Sequence, residues 1–247
     1  MSDMQHPVAY PFLLLCGLLM IPAAVIFVVR SDLRKPMGVM AGLSIPFAFT
    51  EFLFYPSYWE PKFLFDLANR IGFGIEDFLF VIGLGAFTST VYPAVFFKKR
   101  VPLSVSTPSL RSVAGKKRLT KLIVPIGVAF LLTAIMAALS IPMIWGCVPI
   151  MILIALSIVV IRRDLRSAAA WGGVLSAIAY FLICQALGVL VPNVFELNWH
   201  AEKFFGVYIL GVPLEEITYA FAAGTVASVV YPFAFNEAFC PFRTKEA

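Results

Sequence analysis

Apolar residues run through this chain in long, nearly unbroken stretches, separated by short polar segments that hold most of the charge. Seven stretches stand out: Val8 to Val29, Met37 to Tyr55, Ile71 to Phe97, Leu122 to Leu139, Pro142 to Ile161, Ala168 to Val191 and Phe204 to Phe235. A helix of roughly 20 apolar residues crosses a hydrocarbon core of about 30 Å, so each stretch has the length of a membrane span. The block Leu122 to Ile161, at 40 residues, is too long for one straight span. It divides near Ser140, Ile141 and Pro142, because proline lacks a backbone donor and closes or kinks a helix. The first stretch lacks a basic leader and is longer than the apolar core of a secretory signal, so it counts as a span. The pattern predicts an all-α, polytopic bundle of about seven transmembrane helices.

Composition agrees with this solvent. With 61% hydrophobic and 13% charged residues and a mean hydropathy of +0.92, a water-soluble domain is excluded. The placement of charge then orients the spans. Seven crossings put 16 of the 19 Lys and Arg on one side: Arg30, Arg34, Lys35, Lys98, Lys99, Arg100, Arg111, Lys116, Lys117, Arg118, Lys121, Arg162, Arg163, Arg166, Arg243 and Lys245. Only Lys62, Arg70 and Lys203 fall on the other. By the positive-inside rule the N-terminus is outside and the C-terminus cytoplasmic. A reporter fused after Ala247 should therefore be cytoplasmic and one inserted near Asn198 external, and the opposite result at either position would discard the seven-span arrangement. The basic excess of +5 reads as a topology signal, with the lipid bilayer as partner and no role in binding nucleic acid.

An internal repeat is the next level of organisation. A shift of 139 residues sets Gly72 to Phe96 against Gly211 to Phe235, matching Gly72, Glu76, Gly85, Ser89 and Val91-Tyr92-Pro93 with Gly211, Glu215, Gly224, Ser228 and Val230-Tyr231-Pro232. Asp77 faces Glu216, and Arg-Ser-Asp-Leu-Arg at 30 to 34 resembles Arg-Arg-Asp-Leu-Arg at 162 to 166. The chain therefore divides into a first three-helix repeat over 1–97, a basic cytoplasmic linker with a connecting helix over 98–141, and a second three-helix repeat with the C-terminal tail over 142–247. The connecting helix restores the orientation, so the repeats are expected to be parallel.

The residues most suited to chemistry are the acidic pairs Glu76/Asp77 and Glu215/Glu216, which open the last span of each repeat inside or at the edge of apolar sequence. A carboxylate near hydrocarbon costs several kcal/mol, which favours a held proton. The same acids at a helix start, after Pro213, also suit capping of free N–H groups. Glu51, near the outer end of the second span, is a further intramembrane acid, and its rough counterpart in the sixth span is Gln185. Cys16, Cys147, Cys184 and Cys240 form no close pair, and His6 and His200 stand apart, so no metal site is expected. No phosphate-binding glycine loop, dinucleotide fingerprint or Asp-rich diphosphate cluster occurs, which disfavours nucleotide redox chemistry and prenyl transfer.

Duplicated units of three spans, with Pro-x-Glu-Glu before an aromatic helix, resemble the membrane-type lycopene cyclase family in its fused form over nearly the whole chain. Pro213, Leu214, Glu215 and Glu216 match the motif unchanged. In Gly74, Ile75, Glu76 and Asp77, glycine replaces proline and aspartate replaces the second glutamate. The family's aspartate late in each middle span is replaced by Glu51 and Gln185. The resemblance implies a redox-neutral lycopene beta-cyclase, an isomerase closing beta-ionone rings at the ends of linear lycopene with no cofactor. It puts Glu215 first as proton donor, with Glu216 orienting it or taking the proton back and Glu76 and Asp77 doing the same in the other half. It places Glu51, Gln185, Tyr92, Tyr231, Tyr219 and Phe80 around a linear carotenoid, and leaves room for carotenoid-pathway enzymes or further copies of the chain as partners. The motif departures leave an inactive homologue, another carotenoid or one-ended cyclisation open. From other classes, a small transporter and a noncatalytic membrane scaffold also stay open.

Overall fold

The computed structural model describes residues 9–103, 108–200 and 205–241, with side chains left undescribed over 108–118. His6, Arg111, Lys116, Lys117, Arg118, Lys203, Arg243 and Lys245 lie outside the described side chains, as do the starts of the first and last apolar stretches at Val8 and Phe204. The first half comprises α1 (Pro11–Val29), α2 (Arg34–Ser44), a 3₁₀ segment (Ile45–Leu53), α3 (Leu67–Ile71), α4 (Ile75–Thr88), α5 (Val91–Val95) and β1 (Lys98–Pro102). The second half comprises α6 (Pro108–Ala138), α7 (Met143–Ile161), α8 (Arg166–Leu190), α9 (Val194–Asn198), β2 (Tyr208–Ile209), β3 (Val212–Pro213), α10 (Leu214–Phe235) and β4 (Glu237–Pro241). Among the described residues six helical spans are long and apolar enough to cross a membrane, and a seventh is reached if α4 and the helical turn before it, bent by 94°, are one span. Large apolar side chains such as Val28, Leu131, Leu153, Leu182 and Val189 are exposed along these helices, a surface suited to lipid and costly in water. The chain is an all-α integral membrane protein.

The 40-residue apolar block breaks where proline and sequence demand it: α6 ends at Ala138, Ser140 takes a positive φ of 54°, and α7 starts after Pro142. The segment from Lys98 to Lys121 is more structured than a linker, since its first part pairs as a strand and α6 begins at Pro108.

Corresponding spans differ for local reasons. α10 is one helix of 22 residues, whereas its counterpart breaks between α4 and α5. There Thr88 Oγ1 bonds back to the Leu84 carbonyl at 2.7 Å, and Thr90 Oγ1 to that of Ala86 at 2.8 Å. Such back-bonding competes with the helix ladder, and Ala227 and Val229 at the shifted positions offer none. Likewise α8 is regular over 25 residues, while the chain after α2 tightens into 3₁₀ winding at Pro46. A 3₁₀ turn holds three residues instead of 3.6, so the facing of later positions drifts, and Glu51 ends buried.

Small residues let the middle and last helix of each half cross closely. A Cβ on Gly85 would collide with Ser44 Oγ, and one on Gly224 with Ser176 Oγ. At the basic end the two halves are clasped alike. Arg30 bonds Asp32 and donates to the carbonyls of Pro93 and Lys98 at 2.8 and 2.7 Å; Arg162 bonds Asp164 and donates to the carbonyl of Glu237 at 2.8 Å. Glu237 stands 139 positions after Lys98. β1 and β4 then pair antiparallel with Arg100 opposite Phe239, residues also 139 apart, at the centre. Burial pushes the Arg100 guanidinium down to about 10, opposed by the charge of Glu237. At the opposite end an antiparallel bridge joins Trp59 to Trp199, flanked by Glu60 N–H to the Asn198 carbonyl and His200 N–H to the Tyr58 carbonyl, both 2.8 Å.

Candidate active site

Beneath the Trp59–Trp199 bridge, α4 and α10 bring their first turns together with the 3₁₀ segment and α8. They form a cavity of about 70 Å³ lined by three carboxyl side chains, Glu51, Asp77 and Glu216, and by Phe54, Tyr58, Trp59, Phe80, Tyr180 and Tyr219, among others. Phe80 and Tyr219, 139 positions apart, stack with centroids 6.4 Å apart and planes within 25°.

The three carboxyl groups differ in partners. Glu216 Oε1 accepts from the Tyr58 hydroxyl at 2.8 Å and Trp199 Nε1 at 2.9 Å, and Oε2 accepts from the Tyr180 hydroxyl at 2.9 Å. Three donors converging on two oxygens is the arrangement of a charge-assisted acceptor. Burial, then the nearby Glu216 carboxylate, push the Tyr58 hydroxyl well above its usual range, so it remains a donor. Glu51 accepts from Trp59 Nε1, and Asp77 accepts the Gly74 N–H at 2.7 Å. The carboxyl groups of Glu51 and Asp77 line the same cavity.

Each acidic pair therefore splits. The second acid, Asp77 or Glu216, enters the cavity. The first, Glu76 or Glu215, turns away and binds a loop backbone: Glu76 Oε1 accepts the Leu64 N–H at 2.7 Å and Glu215 Oε1 accepts the Phe205 N–H at 2.8 Å. Glu215, first by motif, is thus not at the cavity. Adjacent helical positions point about 100° apart, so two neighbouring acids cannot share one face. The glycine that replaces proline in the first motif is explained by space. A Cβ on Gly74 would meet Phe63 and stand 2.7 Å from Glu76 Oε2.

The acid cavity adjoins a larger apolar one of about 200 Å³. Phe47, Thr50, Phe54, Val81 and Tyr219 line both. The apolar part is walled by α2, α4, α6, α7 and α10 through residues including Met40, Leu84, Ala129, Ile150, Ala223 and Val230. From Tyr219 to Val230 it follows α10 for about 16 Å at the helical rise of 1.5 Å per residue. Phe47 stacks on Phe130 of α6 at 5.1 Å, where α6 closes one side.

Two groups of motif residues lie elsewhere. Tyr92 and Tyr231 are buried at the basic end, Tyr92 edge-on to Phe239 at 5.1 Å and Tyr231 stacked on Phe235 at 4.1 Å with Arg100 over its ring, and neither lines a described cavity. Their Val-Tyr-Pro match marks the clasp between the halves. Gln185 donates to the Leu210 carbonyl at 2.8 Å beside a separate outer pocket, away from the acids. Regular α8 gives it no equivalent of the 3₁₀ drift that buries Glu51. The donors Tyr58, Trp59, Tyr180 and Trp199 were not singled out by sequence motif. A signal existed, because Trp59 and Trp199 lie 140 positions apart, close to the repeat shift, and Tyr180 interrupts an apolar helix with a hydroxyl. Among the described residues no group of three or more His, Cys, Asp or Glu is placed to hold a metal ion, and the described cysteines are free.

Comparison with known proteins gives one positive finding. Residues 142–234, which contain α7 to α10, match the family model described as lycopene cyclase. No curated protein and no solved structure matches the chain.

Proposed function

We propose, from the match of residues 142–234 to the lycopene cyclase family model, that the chain is a carotenoid cyclase that closes beta-ionone rings on linear lycopene without net oxidation or reduction. The observation that carries this reading is the meeting of three carboxyl groups, drawn from both halves of the chain, at the aromatic end of an apolar channel.

The channel suits a long, narrow hydrocarbon entering end first. The neighbouring carboxyl groups of Glu51 and Asp77 are the proton source. One of them transfers its proton to the inner, CH carbon of the terminal double bond, leaving a tertiary cation on the outer, dimethyl-bearing carbon. The next suitably placed double bond attacks that cation, a carbon–carbon bond closes the ring, and the positive charge moves into it. Loss of a ring proton restores a double bond. Glu216, with both oxygens arranged as acceptors, takes this proton, and exchange of the carboxyl groups with solvent between turnovers resets the site. One proton enters and one leaves, so the product is an isomer and no cofactor is required. A positioned acid and base contribute about 10²-fold to 10⁴-fold each. The faces of Phe80, Tyr180 and Tyr219 favour the transient cation, and the apolar wall excludes water that would trap it.

We also read the chain as two parallel three-helix repeats, 1–97 and 142–247, joined by 98–141. The matching arginine clasps, the symmetric β1–β4 register and the Trp59–Trp199 bridge support this. A local two-fold axis through both pairings would run from the basic end to the acid end, along the membrane normal. On this reading the acids Asp77 and Glu216 are related positions that have diverged into one asymmetric site.

The test is expression in cells that accumulate lycopene. Carotene with one or two beta-ionone rings is the expected product, and unchanged lycopene in the presence of abundant, folded, membrane-inserted protein would refute the activity. A second expectation concerns the channel. Ala223→Trp fills it beside Tyr219 and should reduce conversion at least tenfold with normal membrane abundance. Wild-type conversion by that variant would show that the substrate lies elsewhere.

A further inference from the structure

An extended linear carotenoid is at least as long as the hydrocarbon core is thick, about 30 Å, whereas the apolar channel follows α10 for only about 16 Å. With one end at the acids, a large part of the polyene has no room inside the channel. That part must leave through a side wall, and the hydrocarbon of the bilayer is the solvent that suits it. The basic end offers no such exit, because the arginine clasps and the paired strands β1 and β4 put polar groups there.

The walls have one weak seam. Around the channel α2 packs on α4, α4 on α10, α10 on α7, and α7 on α6. Closing this ring would require α6 to pack on α2 or on the 3₁₀ segment that continues it, and among the described residues neither is a close-packed neighbour of α6. Side chains bridge the gap instead: Phe47 stacks on Phe130 at 5.1 Å with planes within 12°. Phe47 lines the channel and Phe130 does not, so the stack stands across its wall. On the far side of the seam α6 is the least buried of the six spans.

We infer that the seam between α6 and the α2–3₁₀ segment is a lateral doorway to the bilayer, where the polyene enters end first by parting the Phe47–Phe130 stack and where its unreacted part stays threaded into lipid while the inner end is held at the acids. Two aromatic rings suit this task, because they offer flat apolar surface and no hydrogen-bonding group that a hydrocarbon would strand. An incoming polyene is itself flat and apolar, so it replaces the ring contact that it displaces. The identity of the occupant rests on the cyclase reading, and the place of the doorway rests on the packing of the walls.

A trifluoromethyl-diazirine derivative of phenylalanine in place of Phe130 keeps the ring and, on irradiation, inserts into the hydrocarbon lying against it. The same amino acid in place of Leu153 on α7 or Leu182 on α8, both exposed along their spans, reports encounters with polyene dissolved in the bilayer. With purified protein in lipid containing lycopene, the peptide bearing position 130 should carry the mass of the polyene at least tenfold more often than the peptides bearing positions 153 and 182. Ala223→Trp, which fills the channel, should bring capture at position 130 down to the level of those two, because no end can then be seated. Capture at position 130 no greater than at the other two, or undiminished by Ala223→Trp in folded protein, would overturn the doorway. If the wild type forms no ring yet position 130 captures polyene in this Ala223-dependent way, the cyclase reading fails and the doorway stands.

Discussion

Glu216→Gln is expected to lower carotene formed per folded protein by roughly 10²-fold to 10⁴-fold, the range for loss of a general acid or base. The substitution is chosen because the site can absorb it. The amide oxygen can still accept from Tyr58 and Trp199, and the amide nitrogen can donate to the Tyr180 hydroxyl oxygen, which now sits 2.9 Å from Oε2. What is lost is the negative charge that faces the cation and the oxygen that takes the ring proton. An apolar replacement would strand three buried donors at about 1–3 kcal/mol each, mixing folding with chemistry. Carotene yield, normalised to monodisperse protein extracted from the membrane, checks the prediction. A Glu216→Gln protein with full activity would remove Glu216 from the mechanism.

The second large effect concerns the proton source. Asp77→Asn and Glu51→Gln each keep the size and hydrogen-bonding capacity of the side chain but leave only amide hydrogens, which cannot be given to an alkene. Each single variant should lose about as much as Glu216→Gln, and the double variant Glu51→Gln with Asp77→Asn should lose little more than either. Groups that act as a unit are strongly non-additive in rate, whereas independent contributions multiply. Initial rates for the four proteins of this cycle separate the two cases. A double variant whose loss is the product of the single losses would mean that Glu51 and Asp77 act separately.

How much of this was legible in the sequence depends on the physical scale of each feature. The spans were legible because membrane crossing imposes length and apolarity on every residue of a helix. Even the break near Pro142 follows from one missing N–H. The acids were legible as a set, since carboxylates in apolar sequence are conspicuous, but their division was not. Glu215 and Glu216 are adjacent in the motif and nearly 100° apart on the helix, so the choice between them depends on the rotation of α10 against its neighbours. Nothing local in Leu-Glu-Glu-Ile encodes that rotation. Glu51 and Gln185 illustrate a second limit. Their similar sequence positions suggested similar roles, whereas Pro46 and the 3₁₀ winding after it turn one into the cavity and leave the other bonded to Leu210. Tyr92 and Tyr231 illustrate a third: the strongest identity between the two halves marks a structural clasp, because a tight turn against a strand restricts residues as severely as a reacting substrate does. The helix starting at Pro108 was hidden by the basic, Ser- and Pro-containing composition around it, which reads as linker until α6 is seen to continue into the span.

The most direct test of the account is cyclisation by purified protein in lipid, with lycopene as the only added reactant and D₂O as solvent. A proton taken from solvent-exchangeable carboxyl groups and a different proton lost from the substrate should leave one deuterium for every ring formed, with no redox partner consumed. Carotene carrying one deuterium per ring in the wild type, and none formed above background by Glu216→Gln or Asp77→Asn, is the predicted result. Rings formed without deuterium, or lycopene recovered unchanged from folded protein, would contradict it.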